Sequence, residues 1–142
     1  MEYIQTRLSN IQVLSLLKRC DKEFTPCLSE DLDLDNYSKK LSEHASFIIA
    51  KEDNEIQGFV AYYKNFSESF LYVPLVWVSS SSRRSGLGKT FISQLERLDP
   101  NVFLSIKLEV LKSNAGAYQF YLKENFKIAE ERDSKWLMSK NI

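Results

Sequence analysis

Residues 83–90 read Arg-Arg-Ser-Gly-Leu-Gly-Lys-Thr, the densest concentration of chemistry in the chain. Glycine lets a backbone approach a ligand closely, and the first turn of a helix leaves N–H groups without intrahelical partners. A helix is expected here because Leu87, Phe91, Ile92, Leu95 and Leu98 recur at helical spacing before Asp99-Pro100 closes it. Arg83, Arg84 and Lys89 add cations at the positive end of that helix dipole. Together these features describe a cradle for a phosphate or pyrophosphate. Two nucleotide patterns fail. Gly88-Lys89-Thr90 ends like G-x-x-x-x-G-K-[ST], but Arg83 stands where its first glycine belongs. The G-x-G-x-x-G dinucleotide pattern meets Phe91 at its third glycine.

The segments that must position this turn alternate in texture. Tyr3–Leu8 reads as a strand, followed by a helix that Ser9 or Asn10 can cap and that runs to about Cys20. Phe24-Thr25-Pro26 breaks it. A second helix is expected at about Leu34–His44, with Asp31, Asp33 and Asp35 near its N-terminus, where the dipole favours anions. Ser46–Lys51, Glu55–Lys64 and Phe70–Val78 read as a strand meander, with turn chemistry at Asp53-Asn54 and Asn65–Ser69. The polar Ser79–Ser85 loop leads into the helix described above. A strand at Phe103–Leu111, a helix from Asn114 to near Glu124, and strands at Phe126–Ile128 and Lys135–Ser139 complete a mixed α/β layer fold. Pro74 lacks an N–H, so it marks either a local unpairing of its strand or an edge position.

With 142 residues, no repeat and no linker-like stretch, residues 1–142 are expected to form a single domain. Lys plus Arg and Asp plus Glu each number 19, so the net charge is zero and no basic excess suggests a nucleic-acid partner. The apolar run Leu71–Val78 is interrupted by Pro74 and falls far short of the roughly 20 residues that span a membrane. No basic-then-apolar leader follows Met1, so a cytoplasmic location and no membrane partner are expected. Cys20, Cys27 and the lone His44 make no metal-ligand set, so no metal is expected.

One family accounts for the turn. Arg83-Arg84-Ser85-Gly86-Leu87-Gly88, five residues beyond Val78, resembles the Arg/Gln-x-x-Gly-x-Gly/Ala signature of the GCN5-related N-acetyltransferase (GNAT) family. Downstream, Leu108-Glu109-Val110, Asn114-Ala115-Gly116-Ala117 and Phe120-Tyr121 resemble the family's L-E-V…N-x-x-A…F/L-Y stretch. Two departures stand out. Ser79–Ser82 replaces the Pro-rich or aromatic loop of many members, and Asn125 stands where a glycine is expected before Phe126. Asn tolerates a left-handed helix C-cap, so the second departure should be harmless.

The resemblance implies a central, mostly antiparallel, twisted sheet of about six to seven strands flanked by about four helices. It implies acetyl-CoA as donor and an amine, in a small molecule or a peptide, as acceptor, in a monomer or homodimer. Amine attack on a thioester passes through an oxyanion that a fixed N–H should stabilise, and the family draws such donors from the strand mapped here to Val76, Trp77 and Val78. The resemblance assigns cofactor contacts to those three residues, to Arg83, Arg84, Ser85, Gly86, Leu87, Gly88 and Lys89, and to Asn114, Ala117 and Tyr121. Tyr121 takes the place of the acid that protonates the departing thiolate, and Glu109 that of a base found in some relatives. The acceptor region maps to Asp21–Asp35, with Phe24 and Cys27. The alternative is a catalytically idle member that binds coenzyme A as a sensor or structural module.

Overall fold

A capping box opens the first helix. The Ser9 hydroxyl accepts from the Gln12 N–H at 3.2 Å, and the Gln12 carboxamide accepts from the Ser9 N–H at 2.9 Å. In the computed structural model, which describes residues 1–142, the elements are β1 (Glu2–Thr6), α1 (Asn10–Cys20), α2 (Leu28–Asp31), α3 (Leu34–His44), β2 (Ser46–Glu52), β3 (Glu55–Asn65), β4 (Phe70–Val78), α4 (Leu87–Glu96), β5 (Ser105–Leu111), α5 (Ala115–Lys123), β6 (Lys127–Glu131) and β7 (Lys135–Asn141). The strands form one seven-stranded sheet in the order β1-β2-β3-β4-β5-β7-β6. β4 pairs with β5 in parallel, whereas β1 with β2, β5 with β7 and β6 with β7 are antiparallel. The chain is therefore mixed α/β, as the residue patterns and the family resemblance imply.

Two compact units divide the chain, Met1–Ala61 with Leu75–Leu87 and Tyr62–Pro74 with Gly88–Ile142. In the first, Phe47, Phe59 and Trp77 are buried and meet as tilted rings 5.9 and 6.0 Å apart. α1 packs beside α3, burying Val13, Leu17 and Leu41, and the Ser38 hydroxyl donates to Asn10 across that contact at 2.6 Å. Asp33 caps α3 by accepting from the Asp35 and Asn36 N–H groups. In the second unit, Phe91, Leu95, Ile106, Phe126 and Met138 are buried.

The structure corrects several sequence boundaries. A fifth helix, α2, lies beyond the Phe24–Pro26 break. β5 begins at Ser105 because Leu104 spends its N–H on the Ser69 carbonyl, outside the ladder, while Phe103 turns into the core. α4 ends at Glu96 because the Arg97 and Leu98 N–H groups tighten onto carbonyls three residues back. β7 runs on to Asn141 because Ser105 supplies its partner.

Pro74 is resolved by the same ladders. β4 lies between β3 and β5, so it is not an edge strand. Its parallel pairing with β5 spans Phe70–Val73 and stops at the proline, which has no N–H to donate. β5 meanwhile continues through Glu109, Val110 and Leu111, paired with Leu137, Trp136 and Lys135 of β7.

Candidate active site

In the first unit, β4 alternates buried Leu75 and Trp77 with half-buried Val76 and Val78. Trp77 points its ring into the core, where the Arg19 guanidinium lies 5.6 Å from the ring centroid and the indole N–H has no hydrogen-bond partner. Any ligand contact of residue 77 is thus left to its backbone. That backbone runs close to β3, since a Cβ built on Gly58 would lie 2.6 Å from the Trp77 carbonyl oxygen.

The serine loop after β4 includes a single turn of 3₁₀ helix at Ser80–Ser82. The Gln57 carbonyl accepts the Ser79 N–H at 2.8 Å. The Ser82 carbonyl then accepts both the N–H and the hydroxyl of Ser85. Within that tie Arg84 adopts φ 65°, a conformation that costs a side-chain-bearing residue about 1–2 kcal/mol. Gly86 follows at φ 85°, and a Cβ there would meet nothing within 4 Å. Glycine is needed at 86 for its conformation rather than for room. Arg83 is exposed and has two partners. Its Nε donates to the Val78 carbonyl at 3.3 Å, and its Nη2 lies 3.4 Å from Glu23, in the segment expected to shape the acceptor region.

In the second unit, Gly88 opens the body of α4 against α5. A Cβ on Gly88 would stand 3.1 Å from Phe120 Cζ, so any side chain here makes the ring give by a few tenths of an ångström. Lys89 is exposed beside it. Asn114 caps α5, its side chain accepting the Ala117 N–H at 3.1 Å. Tyr121 is half-buried, with edge-on rings on both sides, Phe120 at 5.1 Å and Phe126 at 5.2 Å. Burial pushes its phenol up to about 12, which keeps the proton on at any physiological pH. The chain leaves α5 through Asn125 at φ 71°, the left-handed C-cap expected of it.

Glu109 occupies the half-buried face of β5, opposite Ile106, Leu108 and Val110. Both its oxygens are engaged: Tyr72 donates to Oε1 at 3.2 Å and Arg132 Nη1 to Oε2 at 3.0 Å. Burial alone would raise this carboxyl. The Arg132 hydrogen bond, the Lys135 charge and the Tyr72 hydroxyl outweigh it and hold the carboxyl below its ordinary range. The Tyr72 phenol moves the other way, to about 12, through burial and the neighbouring carboxylate. The resemblance places at 109 a base found in some relatives; the structure pairs this carboxylate with Tyr72 and Arg132.

Sequence reasoning missed Gln57, Tyr72, Arg132 and Glu23. Tyr72 pairs with Lys107 in the parallel ladder, which puts it on the same face as Glu109. Nothing local signals this, because the register belongs to two strands far apart in the chain. Asp31, Asp33 and Asp35 are exposed, and Asp33 is occupied as a cap. His44 is exposed, and Cys20 is buried with its thiol pushed up to about 12 by burial, so it is inert.

Comparison with solved structures gives the same architecture. The chain aligns over 100% of its length, and 100% of the other's, with the PaiA N-acetyltransferase of Thermoplasma acidophilum in complex with coenzyme A, at 17% identity and TM-score 0.78. The ribosomal-protein-S18-alanine N-acetyltransferase of Escherichia coli aligns at 16% identity and TM-score 0.76, covering 99% of this chain and 94% of that one. A GNAT-family acetyltransferase from Elizabethkingia anophelis with acetyl-CoA bound aligns at 14% identity and TM-score 0.66, over 75% and 82%. At these identities the likeness speaks for the fold. No curated protein matches the sequence. The sequence does match the acetyltransferase (GNAT) family over residues 11–126, a span that holds the glycine turn, β5 and α5 alike, and the chain belongs to that family.

Proposed function

We propose that this protein is an acetyl-CoA-dependent N-acetyltransferase working as one domain, 1–142, with the acetyl group passing directly from the thioester to an amine. The Arg84–Gly86 turn at the start of α4 carries the reading. It combines left-handed backbone at Arg84 and Gly86, cations at Arg84 and Lys89, and the N–H groups of a helix's first turn. The pyrophosphate takes these N–H groups, with Arg84 and Lys89 as counter-charges. Arg83 contributes its backbone while its guanidinium stays with Glu23.

The chemistry follows from the remaining assignments. β4 leaves β5 at Pro74, and the Val76–Val78 backbone beyond it supplies the N–H that stabilises the oxyanion. Tyr121, whose phenol stays protonated at neutral pH, gives its proton to the departing thiolate, and the proton that the amine nitrogen sheds on becoming an amide passes to solvent. Glu109 does not serve as base in this scheme. It holds Tyr72 and Arg132, and the acceptor reacts through its neutral amine fraction. A structure of the same fold in complex with coenzyme A, and a ribosomal-protein-S18-alanine N-acetyltransferase of that fold, support this reading. Action in the cytoplasm, as a monomer or homodimer, belongs to the same proposal; separately, no helix is long and apolar enough to cross a membrane.

The test is an acceptor screen with acetyl-CoA, read as release of free thiol. Acetyl-CoA also raises the melting temperature by mass action on the native state. No thermal shift at millimolar coenzyme A overturns the proposal. A shift without thiol release against any amine favours the idle, sensor-like alternative.

A further inference from the structure

We infer that Gln57 is a positioning residue for the donor cofactor, acting through the serine loop; this rests on the acetyl-CoA reading above. Its side-chain oxygen is the meeting point of three hydroxyls, Ser82 at 2.8 Å, Ser79 at 3.1 Å and Ser81 at 3.3 Å. A carbonyl oxygen has two lone pairs, and the 3.2 Å contact between Ser79 and Ser81 gives the third hydroxyl a second place to donate. The Gln57 main chain adds the bond from the Ser79 N–H, so one residue of β3 grips the loop by backbone and by side chain. The next residue, Gly58, allows the close β3–β4 approach that brings Gln57 within reach.

The grip passes down the loop. Gln57 fixes Ser82, the buried serine of the four, and the Ser82 carbonyl holds Ser85 by its N–H and its hydroxyl. Between those anchors the backbone is kept left-handed at Arg84. A side-chain-bearing residue stays in that conformation only where its surroundings over-determine it. A loop held this way before the ligand arrives spares binding the cost of ordering it. Ser79–Ser82 has no proline to stiffen it and takes its order from Gln57.

Hydrogen exchange on the ligand-free protein and a coenzyme A titration test this together. In Gln57→Leu, amides of residues 79–86 exchange faster than in the wild type while those of α1 and β5 do not. Coenzyme A affinity falls by about tenfold, the scale of one or two neutral hydrogen bonds. Ser82→Ala moves both readouts in the same direction. Gln57→Glu, which keeps the acceptor oxygen, keeps exchange slow, whereas Gln57→Leu keeps the bulk and loses the acceptor, which separates the hydrogen bonds from packing. Unchanged loop exchange in Gln57→Leu overturns the inference, as does a faster loop with wild-type coenzyme A affinity. Failure of the wild type itself to bind coenzyme A overturns the acetyl-CoA reading and this inference with it, so the two failures are told apart by which protein fails.

Discussion

Phe120 fills the space that a side chain on Gly88 would need, its Cζ standing 3.1 Å from the Cβ position. Two glycines of one turn thus answer to different constraints, conformation at 86 and packing at 88. Gly86→Ala is expected to destabilise by about 1–2 kcal/mol through the left-handed backbone alone. Gly88→Val drives methyl groups into Phe120 and costs about 1–3 kcal/mol. Truncating the neighbour separates them: adding Phe120→Ala relieves Gly88→Val and does nothing for Gly86→Ala. Urea unfolding of the single and double variants measures the coupling.

Tyr121→Phe keeps both edge-on ring contacts and removes the hydroxyl alone. If the phenol is the acid, kcat falls by about 10²–10⁴-fold. Acetyl-CoA affinity changes by less than about tenfold, since one neutral hydrogen bond is worth roughly 0.5–1.5 kcal/mol. That split marks an interaction made mainly in the transition state. A packing role would instead leave Phe silent and make Ala costly in stability. Full turnover by Tyr121→Phe removes the acid assignment.

Glu109 is expected to matter to acid stability more than to proton transfer. Its folded carboxyl titrates below the ordinary value near 4.5, so its pairing stabilises the native state above that value and is lost as pH falls through the lower folded one. Arg132→Gln removes the partner and flattens stability against pH in that window, read by urea midpoints from pH 5 downward. In turnover, Glu109→Gln lowers kcat by less than about tenfold, below the range of general base catalysis, and keeps the limb of the pH profile set by the acceptor amine. Loss of that limb would restore Glu109 as the base.

Asp31, Asp33 and Asp35 are expected to be indifferent to the donor. The triple Asn variant keeps coenzyme A affinity within about twofold, because Asn caps a helix as well as Asp does. Asp33→Ala loses the bonds to the Asp35 and Asn36 N–H groups and costs about 1 kcal/mol of stability, measured by thermal unfolding. A large loss of coenzyme A affinity in the folded triple variant would place these carboxylates at the donor site.

What the sequence determined by itself is what neighbouring residues decide. The Ser9–Gln12 box and the Asp33 cap fix where α1 and α3 begin, alternation in Phe70–Val78 and Ser105–Leu111 separates core from outer face, and the Gly-Leu-Gly turn announces a helix start. Asn125 shows its left-handed cap in the same way. Tertiary structure decided everything that depends on register between distant strands. Pro74 was compatible with an edge or with a break until β5 took its place beside β4 and the ladder stopped at Val73. Glu109 has Tyr72 beside it only across that ladder, and Arg132 reaches it only from the β6–β7 turn. Gln57 carried no motif, and only the approach of β3 to the end of β4 set its carboxamide under the serines. The physical reason is one of range: caps and turns close over a few residues, whereas these charges and hydroxyls meet across chain separations that only the folded sheet brings to hydrogen-bonding distance.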